Sequence, residues 1–160
     1  MNLKLYEINP SYVTYLSEYA PHLFLNKQKN QKNERKYIGI ILEVNGFRYF
    51  APLSSFKEKH KKMKEGVDFI KLKDYAVINI NNMFPVAENE YTYVDINKEK
   101  DVQYKALLQA EYRIIKANQN RIIKNAEIVY KHKLIKGNKT PLAKRCNDFT
   151  ALEKACREYK

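Results

Sequence analysis

Cysteine, glycine, proline and tryptophan are all scarce in this chain of 160 residues: 2 Cys, 4 Gly, 5 Pro and no Trp. Two thiols, Cys146 and Cys156, cannot build a disulfide framework, and their ten-residue spacing fits no zinc pattern. They read as reduced thiols of a cytoplasmic protein. So little Gly and Pro excludes collagen-like and linker-rich classes, and no Gly-rich phosphate loop or dinucleotide turn is present. Long apolar runs are missing too. The longest, Tyr37–Val44, is interrupted by Gly39 and Glu43, too short for a membrane span. The start, Met1 to Tyr6, lacks the basic and apolar regions of a signal peptide, so none is expected. The 3 histidines, His22, His60 and His132, are dispersed, and each reads as a surface residue rather than a catalyst. Carboxylates are sparse near the basic clusters, which argues against a two-metal nuclease centre. No metal and no cofactor are expected.

Positive charge is plentiful. There are 30 Lys+Arg against 18 Asp+Glu, a net of +12. Residues 1–112 hold 17 basic and 14 acidic side chains, residues 113–160 hold 13 and 4. Two local clusters stand out in the first part: Lys27, Lys29, Lys32, Arg35 and Lys36, then Lys57, Lys59, Lys61, Lys62 and Lys64. Concentrated like charge repels itself, and a polyanion partner is the simplest reason to keep it. The plainer alternative is a solvated lysine-rich surface from an AT-rich genome, which the many Asn residues favour. No basic stretch carries a broad apolar face, so a membrane surface is the weaker partner.

The 44% hydrophobic content supports one globular domain over 1–160. Leu3, Leu5 and Ile8 suggest a first strand, and Asn9-Pro10 opens a short helix over 10–20 with Tyr12, Tyr15, Leu16 and Tyr19 on one face. Asn45-Gly46 is the strongest hairpin signal in the chain and makes Tyr37–Ala51 a β-hairpin, which Pro52 is expected to end. Short strands follow at 69–72, 75–80 and 91–96, with Met83–Val86 between them. Asp101 can cap one long helix on which Tyr104, Leu108, Tyr112, Ile115, Gln119 and Ile122 keep a 3.6 period, with Gly137 as its stop. Thr150 and Glu153 read as a capping box for a last helix faced by Leu152, Ala155, Cys156 and Tyr159. The class is α+β: a β-sheet core with packed helices and a helical C-terminal third.

One constellation carries chemistry. Ala51-Pro52-Leu53-Ser54-Ser55-Phe56-Lys57 places two hydroxyls and an ammonium just past a strand end, rigidly based yet exposed. Hydroxyls can grip a phosphate while Lys neutralises charge developing on it. Ser-Ser is also an ordinary turn sequence. Tyrosine is abundant, at 13, and Tyr interleaved with Lys can stack unpaired bases, although Tyr on amphipathic faces usually belongs to a core. Tyr12, in the helix before the basic loop, is the one singled out.

Three stretches, Ile8 to Leu16, Lys36 to Gly46 and Tyr49 to Lys57, resemble the ToxN/AbiQ/CptN family, the protein toxins of type III toxin–antitoxin systems. Asn79 to Val86 resembles the family's later strand. Lys116-Ala117-Asn118 and Cys146 to Phe149 are similar to its C-terminal helical part. The most specific stretch is strand, turn, strand, then the Ala-Pro-Leu-Ser-Ser-x-Lys run.

The resemblance implies a strongly twisted antiparallel sheet of the MazF/Kid kind. It implies a metal-independent, sequence-specific endoribonuclease in which the ribose 2′-hydroxyl attacks, leaving a 2′,3′-cyclic phosphate and a 5′-hydroxyl. It implies an antitoxin that is a small repeated RNA pseudoknot, processed by the toxin and closed with it into a ring-like assembly, and no protein antitoxin. Cellular RNA would be the substrate, the cytoplasm the location, and phage defence by abortive infection or plasmid maintenance the role. By position, Ser55 and Lys57 match the family's active-site Ser and Lys, Ser54 stands where Thr or Ser is usual, and Tyr12 matches an active-site Tyr. A family Lys falls on Arg35, with Lys36 next to it, and one of the two is expected to act. Two departures are visible: the loop Asn26–Asn33 has no aromatic residue, and Phe56 stands where a relative has Pro.

Metal-free RNA cleavage needs loss of the 2′-hydroxyl proton, stabilised charge on the phosphate and a protonated leaving oxygen. Lys57 would face the phosphate, Ser54 and Ser55 would orient its oxygens or the 2′-hydroxyl, and Tyr12 with Arg35 or Lys36 would supply the remaining contact. Which group is acid and which is base stays open. The RNA-binding surface is expected from Lys29, Lys32, Lys59, Lys61 and Lys62, and from Lys116, Asn118, Arg121, Lys124, Lys131 and Lys133 on the C-terminal helices. The competing reading is a non-catalytic basic RNA- or DNA-binding module, though no helix-turn-helix, RRM or KH signature supports it.

Overall fold

The computed structural model describes residues 2–20 and 33–160. Its strands are β1 (Lys4–Ile8), β2 (Tyr37–Val44), β3 (Phe47–Ser55), β4 (Phe69–Leu72), β5 (Ala76–Asn79), β6 (Phe84–Pro85) and β7 (Tyr91–Tyr93). Its helices are α1 (Pro10–Ser17), α2 (Glu58–Lys62), α3 (Val102–Ala117), α4 (Gln119–Lys136), α5 (Pro141–Arg145) and α6 (Phe149–Glu158). The strands form one antiparallel sheet in the order β4-β5-β3-β2-β1-β7, with β6 also paired to β3. The expected α+β class, with its helical C-terminal third, is the architecture observed.

The sheet has two apolar faces, and strand alternation assigns residues to them. Along β3, Tyr49, Ala51 and Leu53 point into one core with Leu5 and Ile38 of the neighbouring strands, and Leu108 and Ile115 of α3 and Ile122 and Val129 of α4 cover it. Phe50 points the other way, with Ile8 and Tyr37, into a second core covered by Tyr12 and Leu16 of α1 and Leu152 and Ala155 of α6. The hairpin turn is as expected: Asn45 and Gly46 both have positive φ, 53° and 82°. The β2–β3 register shifts between Ile38 and Leu42, an irregularity that lets Phe50 lie against the β2 backbone. Gly39 is needed there, because a Cβ would fall 2.2 Å from the buried Phe50 ring.

Three expectations are corrected. Pro52 does not end its strand. It sits opposite Tyr37 at the end of the β2 pairing, where its missing N–H costs nothing, and β3 continues to Ser55 by pairing with β5. The helix begun at Asp101 does not run to Gly137. Asp101 caps α3 through the N–H groups of Gln103 and Tyr104. Asn118 then breaks the run: its side-chain amide donates to the Ile114 carbonyl at 2.8 Å and its φ of −114° leaves the helical region. Thr150 and Glu153 form no capping box. Asp148 caps α6 by accepting from Ala151 N–H, and Glu153 is buried, accepting from the hydroxyls of Tyr49 (2.6 Å) and Tyr130 (2.7 Å). Among the described residues, no helix is long and apolar enough to cross a membrane.

Candidate active site

β3 reaches past its partner β2 and turns a short polar segment into a cleft of about 250 Å³. Ser54 and Ser55 line it from β3, and Arg35 and Lys36 from the segment leading into β2. Tyr75 lines it from the β4–β5 turn, and Tyr104 and Glu111 from α3.

The hydrogen bonds fix Ser54 most tightly. Its Oγ accepts from Arg35 Nη1 at 3.1 Å and from Asn79 Nδ2 at 3.1 Å. With both lone pairs occupied, the hydroxyl proton is directed elsewhere, as a donor. Arg35 Nη1 also donates to the Leu53 carbonyl at 2.8 Å, tying the guanidinium to the strand that carries the serines. Arg35 is 7% exposed. Burial pulls its pKa below the ordinary arginine value, with Tyr37 opposing, yet a guanidinium stays cationic in a protein. Lys36, 8% exposed, donates to Glu7 Oε2 at 2.7 Å and to the Glu34 carbonyl at 3.3 Å, and lies 5.4 Å from the Tyr104 ring centroid. Burial works against its charge, but the Glu7 bond and Tyr104 outweigh burial and raise its pKa. Both cations are therefore permanent fixtures of the cleft.

Ser55 is exposed at the end of β3, opposite Ala76 of β5. Both serines belong to the sheet and do not follow it. Lys57 is exposed two residues beyond, with no hydrogen bond or ion pair to its ammonium among the described residues. Its backbone is held firmly. Lys57 N–H donates to His60 Nδ1 at 2.8 Å, and its carbonyl accepts from His60 N–H at 2.9 Å. His60 is thus not the surface residue expected: it is 5% exposed, between the rings of Phe56 and Phe69. Burial, then the charges of Lys59, Lys57 and Lys71, lower its pKa.

Tyr12 does not reach this cleft. It is fully buried in the core under α1 and α6, its hydroxyl donates to the Pro85 carbonyl at 2.7 Å, and its ring meets Tyr159 edge-on. Burial pushes its phenol pKa far above the ordinary value. The structure therefore does not bring Tyr12 together with the other expected site residues.

The basic surface divides similarly. Lys59 and Lys62 on α2, Lys116 on α3, and Lys124 and Lys131 on α4 are exposed and available to an anion. Lys61 pairs with Glu58 at 3.1 Å and Arg121 with Glu65 at 3.1 Å, both at the surface. Two others are engaged within the protein. Lys133 gives its ammonium to Gly137 O, Asn138 Oδ1 and Ala143 O, holding the turn after α4, and Asn118 serves the α3–α4 junction. Lys29 and Lys32 lie outside the described residues, as does His22. Both cysteines are buried and free, with thiol pKa values raised by burial, that of Cys146 to about 11.

Sequence reasoning missed Asn79, Glu7, His60, Tyr104 and Glu111. For Glu111 a signal existed: it falls on the face of α3 set by Tyr104, Leu108 and Ile115, an acid inside an apolar stripe. Asn79, Glu7 and Tyr104 are brought in by segments distant in sequence, whereas His60 bonds the Lys57 backbone only three residues away.

The arrangement can bind a phosphodiester through two hydroxyls and buried cations; Lys57 follows Ser55 by two residues and is not among the residues that line the cleft. Comparison with known proteins agrees with that chemistry. The family model described as toxin ToxN, type III toxin–antitoxin system, matches residues 4–157. The endoribonuclease ToxN of Bacillus thuringiensis subsp. kurstaki is 33% identical over 99% of this chain and 85% of its own length. The endoribonuclease ToxN of Pectobacterium atrosepticum is 28% identical over 98% of this chain and 94% of its own. The endoribonuclease AbiQ of Lactococcus lactis subsp. lactis is 27% identical over 82% and 75%. Among solved structures, a chain from work on selective toxin inhibition by a non-coding RNA pseudoknot superposes with a TM-score of 0.86 at 32% identity, covering 99% of this chain and 98% of that one. A second, from work on a processed non-coding RNA that regulates a bacterial antiviral system, gives a TM-score of 0.86 at 26% identity, covering 98% of each. The chain belongs to the ToxN family of type III toxin–antitoxin toxins.

Proposed function

We propose that this protein is an endoribonuclease toxin held in check by an RNA antitoxin, and that it cuts RNA without a metal ion by attack of the ribose 2′-hydroxyl. The carrying observation is the Arg35–Ser54–Asn79 cluster at the end of β3. It fixes one hydroxyl as a donor beside a second, Ser55, in a cleft with two buried cations. Phosphate oxygens accept from Ser54 and Ser55, and Arg35 and Lys36 supply a fixed positive field. Lys57, anchored through its backbone and with no partner for its ammonium among the described residues, settles on the negative charge that grows as phosphorus becomes five-coordinate. Rigid β3 aligns the phosphate for in-line attack. The products are a 2′,3′-cyclic phosphate and a 5′-hydroxyl.

The inhibitor, in this reading, is a small repeated pseudoknot RNA that the toxin itself processes and that closes with it into a ring-like assembly in the cytoplasm. Lys116, Lys124 and Lys131 give that RNA a basic track away from the cleft, and Lys59 and Lys62 extend the positive surface beside Lys57. Relatives named as ToxN endoribonucleases, and a neighbour structure concerned with inhibition by an RNA pseudoknot, support it.

The test is induction of wild type and Lys57→Ala in bacteria lacking the antitoxin, with mapping of 5′-hydroxyl RNA ends. Growth arrest with new ends is expected for wild type only, because losing one charge-stabilising donor costs on the order of 10²–10³ in rate. Soluble wild type that gives neither arrest nor new ends would sink the reading in favour of a non-catalytic binding module.

A further inference from the structure

The cleft has a third wall, and it carries a carboxyl group. α3 crosses beside β3 and the segment leading into β2, and it contributes Tyr104 and Glu111 to the space lined by Ser54, Ser55, Arg35 and Lys36. Glu111 is 6% exposed and flanked along the helix by the fully packed Leu108 and Ile115. Such a position normally takes an apolar residue, since an unpaired carboxylate there is costly. Among the described residues, no donor hydrogen-bonds its carboxyl and no cation forms an ion pair with it. Lys36 is the cation whose charge acts on it, and that ammonium is committed to Glu7 of β1.

We propose that Glu111 is the general base of this site, taking the proton from the attacking 2′-hydroxyl of an RNA ribose seated in the cleft. The inference rests on the 2′-hydroxyl reading above. In the step, the 2′-hydroxyl proton passes to a Glu111 carboxylate oxygen, and the 2′-oxygen forms a bond to phosphorus. The bond from phosphorus to the 5′-oxygen breaks, and its electron pair stays on that oxygen, which takes a proton from solvent. The proton on Glu111 then returns to solvent.

The other groups that line the cleft suit this role less: Glu34 is a half-exposed carboxyl shared with water, and Tyr75 is an exposed phenol. Lys36 and Arg35, from the β2 approach, are held cationic, and a protonated group accepts nothing. Tyr104, seven residues and about two turns earlier on α3, has its phenol pKa raised by burial against the opposing charge of Lys36, so it keeps its proton. The serines are donors far from ionisation. Glu111 differs: burial lifts its pKa to about 7, with the Lys36 charge opposing. A base poised there is ionised often enough to act at neutral pH and basic enough to help. With no protein donor on it among the described residues, the carboxylate opens onto the cleft, where an entering 2′-hydroxyl meets it as a donor.

The experiment measures single-turnover cleavage from pH 5.5 to 9, using a transcript on which the wild-type cleavage position has been mapped. Wild type should show a rate that rises tenfold per pH unit and levels near pH 7, because only the ionised carboxyl accepts a proton. Glu111→Gln keeps the shape of the protonated acid, should lose about 10²–10⁴-fold in plateau rate, and should lose the inflection. Its affinity for the same RNA carrying a 2′-deoxy nucleotide at the cleavage position should match wild type. Glu111→Asp, which keeps a carboxyl, should retain an inflection with a smaller loss of rate. A Glu111→Gln or Glu111→Asp protein that cuts at the wild-type rate with the wild-type inflection overturns the proposal. Wild-type products lacking a cyclic phosphate overturn the reading beneath it, whichever way the variants behave.

Discussion

Ser54 illustrates how a single residue acquires a role from its neighbours. A serine hydroxyl in water is an indifferent donor and acceptor. Here Arg35 and Asn79 saturate its oxygen from two sides, and the Leu53 carbonyl holds Arg35 in place. The three behave as one unit, so their contributions should not add. Ser54→Ala and Arg35→Ala should each lower single-turnover cleavage about 10²–10³-fold, while the double variant should fall little below the worse single one. Rates of all four proteins on one RNA check this, and full additivity would show that Arg35 acts independently of Ser54. The sequence exposed part of this unit: the Ser-Ser-x-Lys spacing marks a strand end with hydroxyls and an ammonium. Asn79 was out of reach, because only the pairing of Leu53 with Ile78 brings its strand alongside. Tyr12 lies apart from this unit. Its helical spacing with Tyr15 and Leu16 marks a buried face, and that face is where it lies.

At the scale of elements, local chemistry was legible wherever the chain decides matters within a few residues. Asn45-Gly46 gave the hairpin and Asn9-Pro10 the start of α1. It misled wherever a partner distant in sequence decides. Pro52 reads as a strand end until β5 offers β3 a new edge, and Glu153 reads as a cap until Tyr49 and Tyr130 bring their hydroxyls to it. His60 misled for a local reason. Amid five nearby lysines it looks solvated, yet it closes the first turn of α2 onto Lys57. Its Nδ1 must be unprotonated to accept from Lys57 N–H, and its pKa is lowered on folding. A lowered histidine pKa means that the unfolded chain binds the proton more readily. Stability from this residue is therefore present in full above the ordinary value of about 6.5 and is lost as pH falls below it. Urea unfolding between pH 5 and 8 should show that decline for wild type and a shallower one for His60→Phe, which fills the space between Phe56 and Phe69 without titrating. Equal slopes would remove His60 from the account of how Lys57 is held.

For the molecule as a whole, the uneven charge is the dominant property. The cleft lies at one end of β3, and α3 and α4 carry Lys116, Lys124 and Lys131 outward on exposed positions. An RNA inhibitor bound along those helices would release counterions in proportion to the phosphates it contacts. Lys124→Glu with Lys131→Glu should weaken binding of a repeat RNA and flatten the plot of log affinity against log salt by about 0.7–0.9 per contact removed. Cleavage of a short RNA should be unaffected, because neither lysine lines the cleft. An unchanged salt slope would move the inhibitor elsewhere on the surface. The central claim is nucleophilic attack by the ribose in a cleft of hydroxyls and fixed cations. Its most direct measurement uses the purified protein in excess EDTA with two RNAs that differ at one atom, the 2′-oxygen of the nucleotide at the cleavage position. The account predicts that the all-ribose RNA is cut to a 2′,3′-cyclic phosphate and a 5′-hydroxyl while the 2′-deoxy RNA stays intact. Equal cutting of both, or cutting of either only when a divalent ion is restored, would contradict it.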